Sequence, residues 1–195
     1  MKVLVLALAA LLPCLAASSD ADPGKSLGSP NAPIRIEVFS DFECPACKGL
    51  HEQILPLVFK DYVIPGKVFL VSREFPLRMH AYSREAAGYA TAAARLGKYP
   101  QVADALFLDQ VAWSASGKVW DTVAKVLTPA EAQKVQLLAK DPSVLSEVQR
   151  DVDAGTGAGI NQTPTMIVTH GTSRFPVAGA VNYNLLRSML DGLLK

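Results

Sequence analysis

The sequence lacks several features that mark common classes of protein. It contains no run of basic residues, and 19 Lys and Arg against 18 Asp and Glu leave a formal net charge of +1. The sequence therefore lacks the clustered positive charge that is typical of nucleic-acid-binding proteins. Scattered glycines and prolines, 13 of each, and 50% hydrophobic residues argue against a disordered or collagen-like chain. The 195 residues are expected to form one sizeable domain, or a small domain with an insertion.

An apolar run at the N terminus is too short to span a membrane. Residues 3–12 are apolar and follow Lys2, whereas a spanning helix needs about 20 such residues. Small residues follow the run, as in a secretory signal peptide, so we predict a signal peptide over residues 1–17, cleaved near Ala17 to Ser19. The protein would then be periplasmic or otherwise exported. A lipoprotein signal acylated at Cys14 is the less favoured alternative, because proline precedes that cysteine where a small residue is needed.

Cysteine is scarce, and the predicted cleavage makes it scarcer. The chain has 3 cysteines, and removal of residues 1–17 takes Cys14 away. Cys44 and Cys47 would be the only thiols of a chain delivered to an oxidising compartment. The same cleavage removes one lysine and no acid, so 18 residues of each charge remain and net charge cannot steer partners.

Strand patterns frame a long helical region. Residues 34–40 alternate β-type side chains, residues 68–71 form a short apolar run, and residues 165–178 predict a hairpin. Pro176 places the second hairpin strand at a sheet edge. Residues 18–33 are polar and lack periodicity, so they are interpreted as a mobile linker.

Helical patterns fill most of the remaining sequence. A helix is predicted to begin after Cys44 and to kink at Pro56. About four helices are expected between His80 and Gly159, since the periodicity there is helical throughout. Asn182 is predicted to cap a last amphipathic helix. The order strand, helix, strand, helical block, hairpin and helix predicts an α/β sheet with a helical insertion.

The first of the helices begins at a pair of cysteines. Pro45 directly follows Cys44, which puts proline at the first helical position and Cys44 at the N-cap. A sulfur there faces unsatisfied N–H groups and the positive end of the helix dipole, and both favour the thiolate. A contribution of up to about 2 kcal/mol would lower a thiol pKa from ~8.5 to about 7. Cys47 lies one turn later on the same face, so we expect an exposed Cys44 and a covered Cys47.

The charges and donors near the pair limit the expected shift. Glu43 opposes a thiolate on Cys44, Lys48 favours one, and Ala46 offers no side-chain donor. We therefore expect a moderately lowered pKa for Cys44, not an extreme one.

Two other interpretations compete with a catalytic dithiol. A structural disulfide between Cys44 and Cys47 would close so short a loop that it contributes only about 2 kcal/mol. A zinc or copper site would need more ligands than the two sulfurs, with His51 the nearest candidate and His80 and His170 remote. The catalytic dithiol is the preferred interpretation, and no metal is expected.

Three motifs together suggest a family. Residues 41–48 (Asp-Phe-Glu-Cys-Pro-Ala-Cys-Lys), 73–80 (Arg-Glu-Phe-Pro-Leu-Arg-Met-His) and 161–165 (Asn-Gln-Thr-Pro-Thr) each adjoin a predicted strand. With them, the chain from about residue 30 to its end resembles the DsbA-like thiol–disulfide oxidoreductases. The resemblance implies a thioredoxin fold with a helical domain inserted between the second strand and the C-terminal hairpin. Residues 34–78 and 160–195 would form the thioredoxin-like domain, and residues 79–159 the insertion.

The resemblance also implies roles for individual residues. Cys44 would be the nucleophile that forms a mixed disulfide and Cys47 the resolving thiol, with Pro45 and Ala46 completing the active-site motif. Thr163 and Pro164 would form a cis-proline loop that faces the cysteines and holds an extended substrate strand. No cofactor beyond the redox-active Cys44–Cys47 disulfide is implied.

Two positions depart from the family pattern. Ala46 stands where many members have histidine, so the oxidising strength is open. A buried acid often lies six residues before the first cysteine, where this chain has Val38. Glu37 is one residue out of phase and is expected to face the other side of the sheet, so another group or water would have to accept a proton from Cys47. His80 matches a family histidine and is interpreted as structural.

The preferred hypothesis is an exported oxidase that introduces disulfide bonds into reduced secreted proteins. The resemblance implies a monomer that a quinone-linked membrane protein of DsbB or VKOR type reoxidises. A disulfide reductase or isomerase is the enzymatic alternative. A metal-binding chaperone that uses Cys44, Cys47 and His51 is the alternative from another class.

Overall fold

The computed structural model describes residues 22–195. The predicted signal peptide, Cys14 and the first residues of the predicted linker lie outside the described residues. Five strands form one mixed sheet in the order β1-β3-β2-β4-β5. β2 and β3 are parallel, and the other neighbouring pairs are antiparallel. The strands are β1 (Ser26–Leu27), β2 (Ile34–Ser40), β3 (Val68–Glu74), β4 (Thr165–His170) and β5 (Ser173–Ala178).

Part of the predicted linker is ordered, and that prediction is wrong for residues 23–27. Pro23–Lys25 forms a 3₁₀ turn capped by Asp22, whose Oδ1 accepts a hydrogen bond of 2.7 Å from Gly24 N. β1 then pairs with β3, and Lys25 is only 3% exposed. The composition of the segment gave no sign of this order, because a buried lysine with acidic partners far along the chain leaves no local pattern.

A nearly continuous helical segment follows β2. It consists of α1 (Pro45–Gly49), a π-helical turn (Leu50–Ile54), α2 (Leu55–Val58) and a second π-helical turn (Phe59–Val63). Pro56 lies in the first turn of α2, where the hydrogen-bonding pattern changes from π to α. The irregularity therefore falls where the missing N–H of proline predicts one.

The helical insertion lies between β3 and β4. Within residues 22–195 it contains six helices instead of the four expected, because Asp109 and Gly117 (φ 71°) divide residues 99–124 into three short helices. They are α3 (Ser83–Ala94), α4 (Tyr99–Leu108), α5 (Gln110–Ser116), α6 (Val119–Ala124), α7 (Pro129–Leu138) and α8 (Pro142–Gly157). Thr128 and Glu131 form a capping box at the start of α7. The α/β fold with a helical insertion is thus confirmed.

Two hydrophobic cores meet near the cysteines. One lies between the sheet, the segment after β2 and the last helix, α9 (Tyr183–Leu193), which Asn182 caps as predicted. The other fills the helical insertion and includes Cys44 and Cys47. Pro176 lies in the edge strand β5, as predicted. Among residues 22–195, no helix is both long and apolar enough to cross a membrane.

Candidate active site

Cys44 lies at the N-cap of α1, as the sequence predicts. Its φ of −80° and ψ of 120° are extended, and Pro45 is the first helical residue. A turn after β2 sets this position, since Cys44 N donates a 3.1 Å hydrogen bond to Asp41 O. The cysteine therefore projects from the end of a central strand onto the start of a helix.

Both thiols are free, and both are largely covered. Cys44 is 7% exposed and Cys47 is 1% exposed. The expectation of an exposed Cys44 is corrected: Cys44 is more accessible than Cys47, but it too is buried. Gln110 contributes to the cover, because its Nε2 donates to Phe42 O (2.6 Å) and to Cys44 O (3.0 Å) and holds α5 against this turn. Sequence patterns gave no signal for this glutamine.

The Thr163–Pro164 peptide bond is cis, as the resemblance implied. The loop lies beside the cysteines, and Cys44 Sγ donates to the carbonyl oxygen of Thr163 at 3.4 Å. Pro164 O in turn accepts a 2.8 Å hydrogen bond from Gly179 N, which ties the loop to the end of β5. The carbonyl of Thr163 thus lies directly against the Cys44 sulfur.

The pKa values of the two thiols are shifted in opposite directions. The hydrogen bond from the Cys47 thiol is the largest of the effects that lower the pKa of Cys44, to about 5. The side chain of Thr163 and the backbone N–H groups of Cys47 and Ala46 lower it further, against the effect of burial. The shift exceeds the moderate one expected from the helix terminus, because the second thiol also donates to the Cys44 sulfur.

Burial raises the pKa of Cys47 well above that of an ordinary thiol, and its hydrogen bond to Cys44 adds to the effect. Asp41 N donates to Cys47 Sγ at 3.4 Å, and Ser40 also hydrogen-bonds to this sulfur. The arrangement therefore pairs a stabilised thiolate on Cys44 with a protonated thiol on Cys47.

The two charged residues that flank the cysteines, Glu43 and Lys48, interact with other groups of the protein. Glu43 Oε2 accepts a 2.8 Å hydrogen bond from Tyr82 N. Lys48 pairs with Glu52 and donates to Phe107 O at 2.6 Å. Their expected opposing effects on Cys44 are therefore not what sets its pKa.

Asp41 organises the turn, a role that the sequence analysis missed. Its buried carboxylate accepts hydrogen bonds from Glu43 N (2.8 Å) and Leu77 N (2.7 Å) and contacts His80 Nδ1 at 2.8 Å. It thus joins the cysteine turn to the loop after β3, which agrees with a structural interpretation of His80. The sequence held one indication of this contact: Asp41 and His80 belong to two of the motifs that together suggest the family.

Glu37 faces away from the cysteines, as its phase predicts. The β2–β3 ladder is regular along the whole of β2. Glu37 Oε1 accepts from Arg73 Nη2 at 2.8 Å, whereas Val38 lines a cavity beneath Cys47. Glu37 is thus excluded as a direct proton acceptor for Cys47.

The third ligand of the metal alternative does not join the cysteines. His51 Nε2 lies 2.7 Å from Asp104 Oδ1, and its ring packs against Phe107 with centroids 4.5 Å apart. In the part of the chain that the structure describes, no three His, Cys, Asp or Glu side chains are grouped as metal ligands.

Comparisons with known proteins agree with the fold. Residues 20–191 match the family model described as Thioredoxin. A "Probable disulfide bond formation protein D" of Bacillus anthracis is 23% identical over 180 residues, covering 88% of this chain and 78% of that protein. The crystal structure of oxidised BdbD from Bacillus subtilis is similar with a TM-score of 0.72 and 23% identity, covering 88% of this chain and 93% of that one. Wolbachia pipientis alpha-DsbA1 is similar with a TM-score of 0.72 and 18% identity, covering 87% of this chain and 89% of that one.

Proposed function

Because this chain belongs to the thioredoxin family, we propose that it is an exported thiol–disulfide oxidoreductase that introduces disulfide bonds into secreted proteins through Cys44 and Cys47. One observation carries the proposal. Cys44 Sγ lies at the N-cap of α1, where the Cys47 thiol and backbone N–H groups of the helix donate to it and lower its pKa. A sulfur so placed is a good leaving group and a good nucleophile at neutral pH.

Substrate oxidation proceeds in two exchanges. In the first, a substrate thiolate attacks Cys44 Sγ of the Cys44–Cys47 disulfide; the new substrate–Cys44 bond forms and Cys47 leaves as a thiolate that takes up a proton. In the second, another substrate thiolate attacks the substrate sulfur of the mixed disulfide, and Cys44 leaves as a thiolate. The substrate loses two electrons and gains a disulfide, and the enzyme is left as the dithiol.

The proposed direction of electron flow depends on whether the site stabilises the oxidised or the reduced protein. The low pKa of Cys44 stabilises the reduced protein, and stabilisation of the reduced form makes a dithiol pair a stronger oxidant. This favours the oxidase over a reductase. Substrate approaches along the Thr163–Pro164 loop, where an extended chain can pair with backbone groups of the loop.

Reoxidation and export complete the proposal. The redox-active disulfide serves in place of a bound cofactor, and a membrane-bound, quinone-linked partner of DsbB or VKOR type restores it. The Bacillus anthracis relative is named a disulfide bond formation protein, which supports this use. The signal-peptide pattern at residues 1–17 supports export, and the protein would act as a monomer.

The equilibrium reduction potential against glutathione tests the direction of transfer. An oxidase should equilibrate with glutathione at a potential well above that of thioredoxin, about −270 mV. A potential at or below the thioredoxin value would contradict the oxidase and favour the reductase.

Two variants test the roles of the cysteines. With a reduced, unfolded substrate protein, Cys44→Ser should abolish disulfide formation. Cys47→Ser should accumulate a mixed disulfide on Cys44 that mass spectrometry detects. Accumulation in the Cys44→Ser protein instead would reverse the roles.

A further inference from the structure

Disulfide exchange at Cys44 poses a proton-transfer problem at Cys47. Cys47 is 1% exposed, so its sulfur cannot exchange a proton directly with bulk water. The acid nearest in sequence on β2, Glu37, lies on the opposite face of the sheet and pairs with Arg73. A group of the sheet that serves Cys47 must therefore lie on the same face as Val38.

A cavity of about 400 Å³ opens on that face. It lies between β2, β3, the helical segment after Cys44 and α4, and Cys47 forms part of its wall. Most of the wall is apolar, but Ser40, Ser72 and Tyr99 contribute hydroxyl groups. A cavity of this size with several polar partners has room for more than one water molecule.

The hydroxyl groups border the same cavity as Cys47, and they lie near a buried acid. Ser40 hydrogen-bonds to the Cys47 sulfur. Ser40 is also the direct Cα partner of Glu74 in the β2–β3 ladder. Directly paired residues of neighbouring strands, about 4.8 Å apart, point to the same face of the sheet. Glu74 therefore lies on the cavity side, one strand away from the residue that contacts Cys47.

Tyr99 connects Glu74 to the cavity. Its hydroxyl donates to Glu74 Oε1 at 2.9 Å and also hydrogen-bonds to Ser72. Since Tyr99 and Ser72 both line the cavity, the Glu74 carboxyl is linked to the space that Cys47 borders. Glu74 itself is 1% exposed.

Charged groups from three elements face Glu74. Lys25 approaches from the 3₁₀ turn before β1, Tyr99 from α4, and Asp151 and Glu147 from α8. Burial raises the pKa of Glu74 to about 8, with Lys25 opposing and Asp151 adding to the shift. At neutral pH most of this carboxyl is protonated and a smaller fraction is ionised, so the acid form can give a proton and the carboxylate form can take one. His51 and Asp104 also line the cavity, but they pair with each other.

We propose that Glu74, acting through Tyr99 and the cavity that Cys47 borders, is the residue with which Cys47 exchanges its proton. The proposal rests on the proposed function. When a substrate thiolate opens the Cys44–Cys47 disulfide, the Glu74 carboxyl supplies the proton that the departing Cys47 sulfur takes up, and Glu74 becomes a carboxylate beside Lys25. In the reverse step Cys47 attacks Cys44 of a mixed disulfide, the substrate thiolate leaves, and the Cys47 proton passes to Glu74.

The reverse step isolates the chemistry of Cys47. Reduced protein is mixed with excess oxidised glutathione, acid-quenched at intervals and analysed by mass spectrometry. The Cys44–glutathione adduct first forms and then decays, as Cys47 attacks Cys44 and releases glutathione. The first-order rate of this decay is measured between about pH 5 and about pH 9, a range that brackets the useful pKa of a general acid or base.

Removal of the Glu74 proton acceptor should slow only the decay. In Glu74→Gln the decay at neutral pH should fall about 100-fold, the lower end of the effect of general acid–base catalysis. In this variant the decay rate of the adduct should also rise with hydroxide concentration over the whole pH range measured. In the wild type the decay rate should level off once Glu74 is ionised. Formation of the adduct at Cys44 should be unchanged. Tyr99→Phe, which keeps the carboxyl and removes only the hydroxyl, should also slow the decay and decides the question if Glu74→Gln does not fold.

Glu37→Gln is the matched control. It removes a buried carboxylate from the same sheet on the face away from Cys47, so the decay rate and its pH profile should match the wild type. A wild-type decay profile in Glu74→Gln, or in Tyr99→Phe where that variant decides, overturns the proton path and leaves the oxidoreductase standing. Failure of the wild-type protein to form an adduct at Cys44 overturns the proposed function itself.

Discussion

Cys44 Sγ contacts the carbonyl oxygen of Thr163 at 3.4 Å across a separation of 119 residues. The contact joins the start of α1, which follows the central strand β2, to the loop that precedes β4. Because β2 and β4 are paired neighbours in the sheet, the two ends are held side by side by backbone hydrogen bonds. The Cys44 sulfur and the Thr163 carbonyl are thus positioned by one framework of paired strands.

The Cys47 thiol should be the main determinant of Cys44 acidity. Replacing Cys47 with Ala removes the largest effect that lowers the pKa of Cys44, so the pKa should rise towards the ordinary thiol value. Thiolate absorbance in the ultraviolet, followed against pH, measures it. Cys47→Ser keeps a hydroxyl donor at the same place and should raise the pKa less. Equal pKa values in wild type and Cys47→Ala would assign the shift to the helix terminus and Thr163.

Local signals were enough to predict much of this site. Pro45 after Cys44 placed the sulfur at an N-cap, and the phase of β2 placed Glu37 on the far face, because both follow from the geometry of a single element. The covering glutamine, Gln110, and the depth of Cys44 could not be predicted in this way. They depend on how α5 packs against a turn 66 residues earlier, and no periodicity encodes that contact.

Lys25 should anchor the N-terminal segment to the helical insertion. Its ammonium pairs with Asp151 Oδ2 at 2.6 Å and with Glu147 Oε1 at 3.1 Å, both out of contact with solvent. Lys25→Met keeps the length of the side chain but removes the positive charge that pairs with the buried Asp151 and Glu147. This should lower the free energy of unfolding by about 3 kcal/mol. Urea unfolding followed by circular dichroism measures this.

The control for Lys25 is an exposed lysine, Lys60. Lys60→Met should change the free energy of unfolding by no more than about 0.5 kcal/mol, as is usual for surface substitutions. Similar small effects of both variants would show that the segment before β2 contributes little to stability.

Two glycines of α8 should respond to alanine in opposite ways. A Cβ on Gly155 would lie 2.6 Å from the ring of Phe75 and 3.0 Å from that of Phe39, whereas a Cβ on Gly157 meets nothing within 4 Å. Gly155→Ala overpacks the contact between α8 and the sheet and should destabilise the protein by about 1–3 kcal/mol. Gly157→Ala should stabilise it by up to about 1 kcal/mol, since alanine restricts the unfolded chain. Thermal unfolding of the two variants separates these effects, and destabilisation by both would point to a cause other than the phenylalanine rings.

Glu74 should make the stability of the protein fall as pH rises. Its folded-state pKa is raised to about 8, while a glutamate in the unfolded chain titrates near about 4.3. Between these two pKa values the folded protein holds a proton that the unfolded chain has released. The contribution of Glu74 to the free energy of unfolding is therefore fully present below the lower value and is lost as pH rises to the upper one. The free energy of unfolding of the wild type, minus that of Glu74→Gln, should therefore decline by up to about 1.4 kcal/mol per pH unit across the window. Urea unfolding at several pH values measures both proteins under identical conditions, so that the other titrating groups cancel in the difference. A difference that stays constant with pH would mean that Glu74 is already ionised in the folded protein, held as a carboxylate by Lys25.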